Sequence, residues 1–119
     1  MSSLYIIIPA YNESENIEKT ISDWYPVVES HNEEGNSRLV IINDGSKDNT
    51  YDLVCRLAKK HPLLVSLTKP NGGHGSTVLY GYRYAIQNHA DYIFQTDSDG
   101  QTNSGEFESF WEKRDLYDA

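Results

Sequence analysis

Asp97 and Asp99 stand one residue apart in "FQTDSDGQT" (94–102). Two carboxylates so spaced offer oxygen-only ligands suited to Mg2+ or Mn2+, and through the metal to a diphosphate. The same pair could instead cap a helix or shape a turn. A calcium loop begun at Asp97 is excluded, because Thr102 falls where that loop needs glycine and a strand precedes it.

Three further clusters carry usable chemistry. In "PAYNE" (9–13), Tyr11 could stack on a base and Glu13 could accept a hydrogen bond from a ribose. Equally, the pair could be an aromatic over a sheet edge and an acidic first helical turn. In "NDGS" (43–46), Asp44 could accept from a ribose or a base N–H, while Ser46 or Asp48 could cap a following helix. In "KPNGGHG" (69–75), glycines let the backbone approach a phosphate that Lys69 could neutralise. His74 could donate to phosphate or be merely structural. No G-K-[ST] follows and G-x-G-x-x-G is absent, so neither a P-loop nor the dinucleotide fingerprint is present.

The segments between these clusters must position them. "LYIII" (4–8) is a short apolar, β-branched run stopped by Pro9, which predicts a strand covered on both faces. In residues 12–30, Ile17, Ile21, Trp24 and Val28 mark one helical face. Asn12 or Ser14 could cap that helix, and Pro26 should end or kink it. "RLVII" (38–42) predicts a second strand, and residues 47–61 a helix with Leu53 or Val54, Leu57 and Ala58 inward. "LLVSL" (63–67) predicts a third strand, and residues 77–89 a helix with Val78, Tyr82, Ala85 and Ile86 aligned. "DYIFQT" (91–96) predicts a fourth strand, and residues 104–117 a helix presenting Phe107, Phe110 and Trp111.

Strands alternating with helices imply βαβ units and a parallel sheet with helices on both faces. All four polar clusters then fall at the carboxyl ends of strands, where such sheets bind ligands. They form one site rather than four loops.

At 119 residues the chain is one domain, 1–119. Its formal charge of −8 argues against a nucleic-acid partner. It suits a divalent cation and, through it, a phosphorylated ligand. The single cysteine, Cys55, forms no internal disulfide and reads as a small buried hydrophobe. The first apolar run is too short for a signal peptide or a membrane span, so a cytoplasmic location is expected.

Together "IIIPAYNESENI", "NDGSKDNT", "NGGHGSTVLYGYRYA" and "YIFQTDSDGQ" resemble glycosyltransferase family 2, in its order and near its spacing. The resemblance implies the Rossmann-like GT-A fold and a nucleotide-diphospho-sugar site for a UDP- or GDP-sugar. Pro9, Tyr11 and Glu13 would line the nucleotide pocket, and Asp44 would bind the base. Asp97 and Ser98 would contact ribose and diphosphate, and Asp99 would ligate Mn2+ or Mg2+. Gln101 resembles the polar residue that assists the metal in polyprenyl-phosphate sugar transferases.

The implied reaction is inverting transfer of the sugar to a sugar or lipid-phosphate acceptor. A hydroxyl acceptor would need a carboxylate base, and a phosphate acceptor would not. Against the family's length the chain reads as the donor-binding part. The later strands, the acceptor loop and the general base are expected outside it, as is any attachment to the inner face of a membrane. The incomplete sheet predicts an exposed edge on the fourth strand and pairing of two copies through it. A non-catalytic nucleotide-binding module is the alternative. A nucleotidyltransferase lacks support, since no glycine- and arginine-rich signature follows the first strand.

Overall fold

The computed structural model describes residues 3–33, 35–98 and 104–112, without the side chains of 104–106 and 110. Its strands are β1 (Leu4–Ala10), β2 (Arg38–Asp44), β3 (Leu64–Lys69) and β4 (Tyr92–Gln95). They alternate with helices α1 (Ile17–Ser30), α2 (Thr50–Ala58), α3 (His74–Gln87) and α4 (Ser104–Glu112). All pairings are parallel, in the order β3-β2-β1-β4. The order runs outward from β1 to β3 and then jumps back across β1 to β4. The switch point therefore lies between β1 and β4, and loops leaving their carboxyl ends diverge around a crevice.

The two central strands are buried, save for half-buried Arg38 at the start of β2, because each face has its own cover. On one face Leu4, Ile6, Ile8, Leu39 and Ile41 pack with Ile17, Ile21, Trp24 and Val28 of α1, Val54 of α2 and Phe107 of α4. On the other, Tyr5, Ile7, Val40 and Ile42 pack against Ala85 of α3. Trp24, Phe94 and Phe107 meet at ring centroid distances of 5.1 to 6.1 Å and seat α4 on α1. Among the described residues β3 and β4 are the sheet edges. No described helix is long and apolar enough to cross a membrane.

Several boundaries differ from the sequence expectation, each for a physical reason. β1 does not stop at Pro9 but runs on to Ala10, with Pro9 paired to Ile42. Ile7 offers its carbonyl to Thr96, so the alternation of a parallel strand turns Pro9 toward the same side. Pairing with β4 has ended there, and the missing N–H costs no ladder bond. Pro26 neither ends nor breaks α1, which continues through buried Val27 and Val28. Residues 12–16 are not helical, so neither Asn12 nor Ser14 caps α1. Its first amides, Asn16 and Ile17, donate to the Glu13 carbonyl instead. Cys55 is half-buried, with its Sγ 3.4 Å from the Ser66 hydroxyl.

α3 shows the largest departure. Its buried stripe is Thr77, Gly81 and Ala85, whereas Ile86 is 64% exposed. The small residues win because α3 lies close on β1 and β2. A Cβ on Gly81 would stand 2.7 Å from Ile42 Cδ1 and would also strike Ile7 Cγ2. Alanine normally gains about 1 kcal/mol over glycine within a helix. Overpacking a closed core costs about 1–3 kcal/mol, and both isoleucines are fully buried. Gly81→Ala should therefore lower the urea midpoint, by up to about 2 kcal/mol in stability. Gly75→Ala, whose Cβ would meet open space, should not lower it.

Candidate functional site at the strand ends

β2 ends in Asp44 and β3 in Lys69, and the two are register partners. Their side chains form a 3.0 Å ion pair, with side-chain exposures of only 7% for Asp44 and 12% for Lys69. The chain then turns back over Asp44. Gly72 donates its N–H to Asp44 Oδ1 at 2.9 Å, and Gly73 donates to Oδ2 at 3.2 Å. Asn71 Nδ2 donates to the Asp44 carbonyl at 3.0 Å, while Lys69 also reaches the Pro70 carbonyl at 2.8 Å. Asp44 thus gathers the whole glycine-rich loop onto the end of the sheet.

Gly45 makes this crossing possible. Its φ is +65°, and a Cβ there would stand 2.5 Å from the Asn71 nitrogen. Only glycine fits both demands. Burial pushes the Asp44 carboxyl up. The Gly72 amide, Lys69 and the Thr77 hydroxyl outweigh burial, and its pKa lies below the ordinary carboxylate value.

The loop after β1 is tied to the loop after β2. Asn12, with φ +54°, donates its N–H to Ser46 Oγ at 2.9 Å. Its side chain in return accepts from Lys47 N at 2.8 Å. Glu13 N donates to Thr50 Oγ1 at 2.9 Å and Ser14 N to Asp48 Oδ2 at 3.3 Å. The Thr50 hydroxyl donates to Asp48 Oδ1 in a short contact, and Thr50 N donates to the same oxygen at 3.0 Å. The Thr50 hydroxyl, first among these donors, and the amide of Thr50 outweigh desolvation. They hold the Asp48 carboxyl at about 2, against an ordinary 3.8.

After β4, Asp97 Oδ1 accepts from Gln95 Nε2 at 2.9 Å and lies 3.7 Å from His74 Nε2 at the start of α3. The Ser98 carbonyl accepts from Thr20 of α1 at 3.2 Å. Between these loops lies a cleft of about 390 Å³. Pro9, Ala10, Tyr11 and Glu13 line it from β1, and Asp44 from β2. Asn71, Gly73, His74 and Thr77 come from the β3–α3 connection, and Asp97 and Ser98 from β4.

Six of the residues expected from sequence, Pro9, Tyr11, Glu13, Asp44, Asp97 and Ser98, line this one cleft. Lys69 lies beneath the loop on Asp44 rather than on the cleft wall. Asp99 and Gln101 lie outside the described residues. Among the described residues no group of three or more histidines, cysteines or acids is placed to hold a metal. The described part of the acidic motif is Asp97, whose oxygen donors at the cleft mouth suit a hard cation. Asn71 and Thr77 are site residues that sequence reasoning did not single out. Asn71 lay within a loop already noted for its glycines, and nothing local marks Thr77.

The sequence profile of Glycosyl transferase family 2 matches residues 5–118. The chain belongs to glycosyl transferase family 2. A dolichyl-phosphate beta-glucosyltransferase of Trichomonas vaginalis is 36% identical over 111 residues, covering 90% of this chain and 32% of that protein. A Pyrobaculum calidifontis mannosyltransferase, solved in complex with GDP-Man and Mn2+, superimposes with a TM-score of 0.68 at 25% identity. That match covers 82% of this chain and 28% of the other. TarS of S. aureus in complex with UDP-GlcNAc gives a TM-score of 0.66 at 21% identity, over 96% of this chain and 31% of that one. The TarS likeness speaks to fold alone. The four-stranded parallel sheet matches the GT-A arrangement of these structures, and the chain spans about a third of the length of the relatives it matches.

The depressed carboxyls of Asp44 and Asp48 couple folding to pH on the acid side. A carboxyl whose pKa falls on folding stabilises above its unfolded value, near 3.8. That contribution fades as pH drops through the folded value. The thermal stability of the chain should fall between about pH 4 and pH 2. Asp48→Asn, which cannot ionise, should flatten that fall.

Proposed function

We propose that the cleft binds a nucleoside diphosphate-sugar together with Mn2+ or Mg2+, as the donor site of a glycosyl transferase. The observation that carries this is the meeting of Tyr11, Glu13, Asp44 and Asp97 around one crevice at the β1/β4 switch point, in a chain of this family. Tyr11, 42% exposed over the cleft, offers a ring for stacking on the base. Asp44, fixed by the loop above it, is the acceptor for a base N–H. Asp97 and Ser98, on the β4 side of the cleft, are the residues proposed to contact ribose and diphosphate.

Charge supports the metal. Glu13 and Asp97 line the cleft, and an anionic diphosphate entering beside them meets like charge. A divalent cation resolves that conflict. Asp99 and Gln101 are the residues proposed to hold it, with Asp97 beside them. When bound, the metal would offset charge on the departing nucleoside diphosphate. His74, at the amino end of α3 and beside Asp97, could add a hydrogen bond on the same side.

The relative from Trichomonas vaginalis is named for transfer to dolichyl phosphate. We infer a lipid-phosphate acceptor here too, which would attack without a carboxylate base. A sugar hydroxyl acceptor would require one. Such an acceptor would place the working protein against a membrane face.

Calorimetry on the 119-residue chain should show UDP or GDP binding that depends on Mn2+. Asp99→Ala should abolish that dependence while leaving the thermal unfolding midpoint nearly unchanged. Failure of either nucleoside diphosphate to bind the folded wild-type chain with Mn2+ would overturn the reading.

A further inference from the structure

The family resemblance assigns no work to Asp48 or Thr50, and neither lines the cleft. We propose that they are positioning residues for the donor: they clamp the Tyr11–Asn12–Glu13 turn to the start of α2 and so hold both walls of the cleft in one geometry. This rests on the reading of the cleft as a nucleotide site.

The geometry is reciprocal and spans 34 to 37 residues of chain. Thr50 is fully buried. Its hydroxyl accepts the Glu13 N–H and passes its own proton toward Asp48 Oδ1, which also takes the Thr50 amide. Asp48 Oδ2 takes the Ser14 amide. Two consecutive amides of the β1–α1 turn therefore end on one Asp–Thr unit. Asn12, held at φ +54°, closes the other side through Ser46 and Lys47. Asn adopts positive φ more readily than most residues, and here bonds from both its backbone and its side chain hold it there.

Tyr11 and Glu13 flank this turn and face the cleft. Asp44 lies only a few residues before Asp48 on the β2–α2 loop. The clamp therefore fixes the stacking ring and the Glu13 carboxylate relative to the base acceptor. A donor would meet a preformed pocket rather than order a loose loop on binding. The hydrogen bonds are made wholly within the protein, so their effect on affinity must pass through Tyr11 and Glu13.

Thr50→Val keeps the shape but removes both hydroxyl bonds. Thr50→Ser keeps the hydroxyl. Calorimetry with UDP and GDP in the presence of Mn2+ should show affinity reduced roughly tenfold or more in Thr50→Val. In Thr50→Ser it should stay within about threefold of wild type, since the bond that acts is retained. Val54→Ala, one turn along the same helix in the core, should lower the unfolding midpoint while leaving affinity alone. In the Tyr11→Ala background, Thr50→Val should lose part of its effect, because it acts through that turn.

Wild-type affinity in Thr50→Val would overturn the proposal. So would an equal loss of affinity in Val54→Ala, which would make the role one of general stability. If wild type binds neither nucleotide, the nucleotide reading fails and the clamp fails with it. Binding by wild type with no effect at Thr50 would sink the clamp alone.

Discussion

The Asp44–Lys69 pair fixes the geometry on which the site depends. Parallel register places the two residues side by side at the last position of β2 and β3. A buried ion pair is not stabilising by itself, because taking both charges out of water costs several kcal/mol. Here further partners offset that cost: Gly72 and Gly73 donate to the carboxylate, and Lys69 donates to the Pro70 carbonyl. The network is satisfied, and its consequence is positional. It folds the β3–α3 connection back over the sheet end, which sets where α3 starts and where Asn71, His74 and Thr77 stand.

The same constraint explains the helix above the second face. Once the glycine-rich loop is drawn onto Asp44, α3 begins at His74 and crosses low over β1 and β2. A low crossing admits only small residues, hence Thr77, Gly81 and Ala85 inward. The larger Leu79, Tyr80 and Ile86 are left outward, at 40% exposure or more. A strand-end carboxylate and an outward-facing isoleucine are thus two ends of one packing solution.

This bears on what could be read beforehand. The continuous runs in β1 and β2 were legible, because strands covered on both faces lose the alternation that marks a half-exposed strand. The gathering of "PAYNE", "NDGS" and the Asp97–Ser98 turn was legible too, since a βαβ chain sends every such turn to one sheet edge. The face of α3 was not. Hydrophobic periodicity selects large side chains, and here close approach of two backbones decided in favour of small ones. Lys69 was read as a phosphate partner because nothing local shows that register hands it to Asp44. The bonds joining residues 12–14 to 46–50 have no sequence signature either. They pair ordinary turn residues that only the β1–β2 register brings together.

The division of labour between the two loop systems follows from these contacts. Asp44 uses its oxygens on its own loop and is held rigidly in place at the end of β2. The β1–α1 turn has no such buried charge beneath it and depends on neutral donors meeting Asp48 and Thr50. A carboxylate accepting several N–H and O–H groups is a charge-assisted anchor, roughly twice as strong per bond as a neutral one. Both walls of the cleft are therefore pinned by an aspartate that serves the protein before it serves a ligand. Among the described residues, the cleft-lining acids besides Asp44 are Glu13 and Asp97. Asp97 accepts one bond from Gln95 and is 47% exposed. It keeps more open acceptor capacity than Asp44, whose oxygens already take Lys69, Gly72 and Gly73, or Asp48, whose oxygens take Thr50 and Ser14.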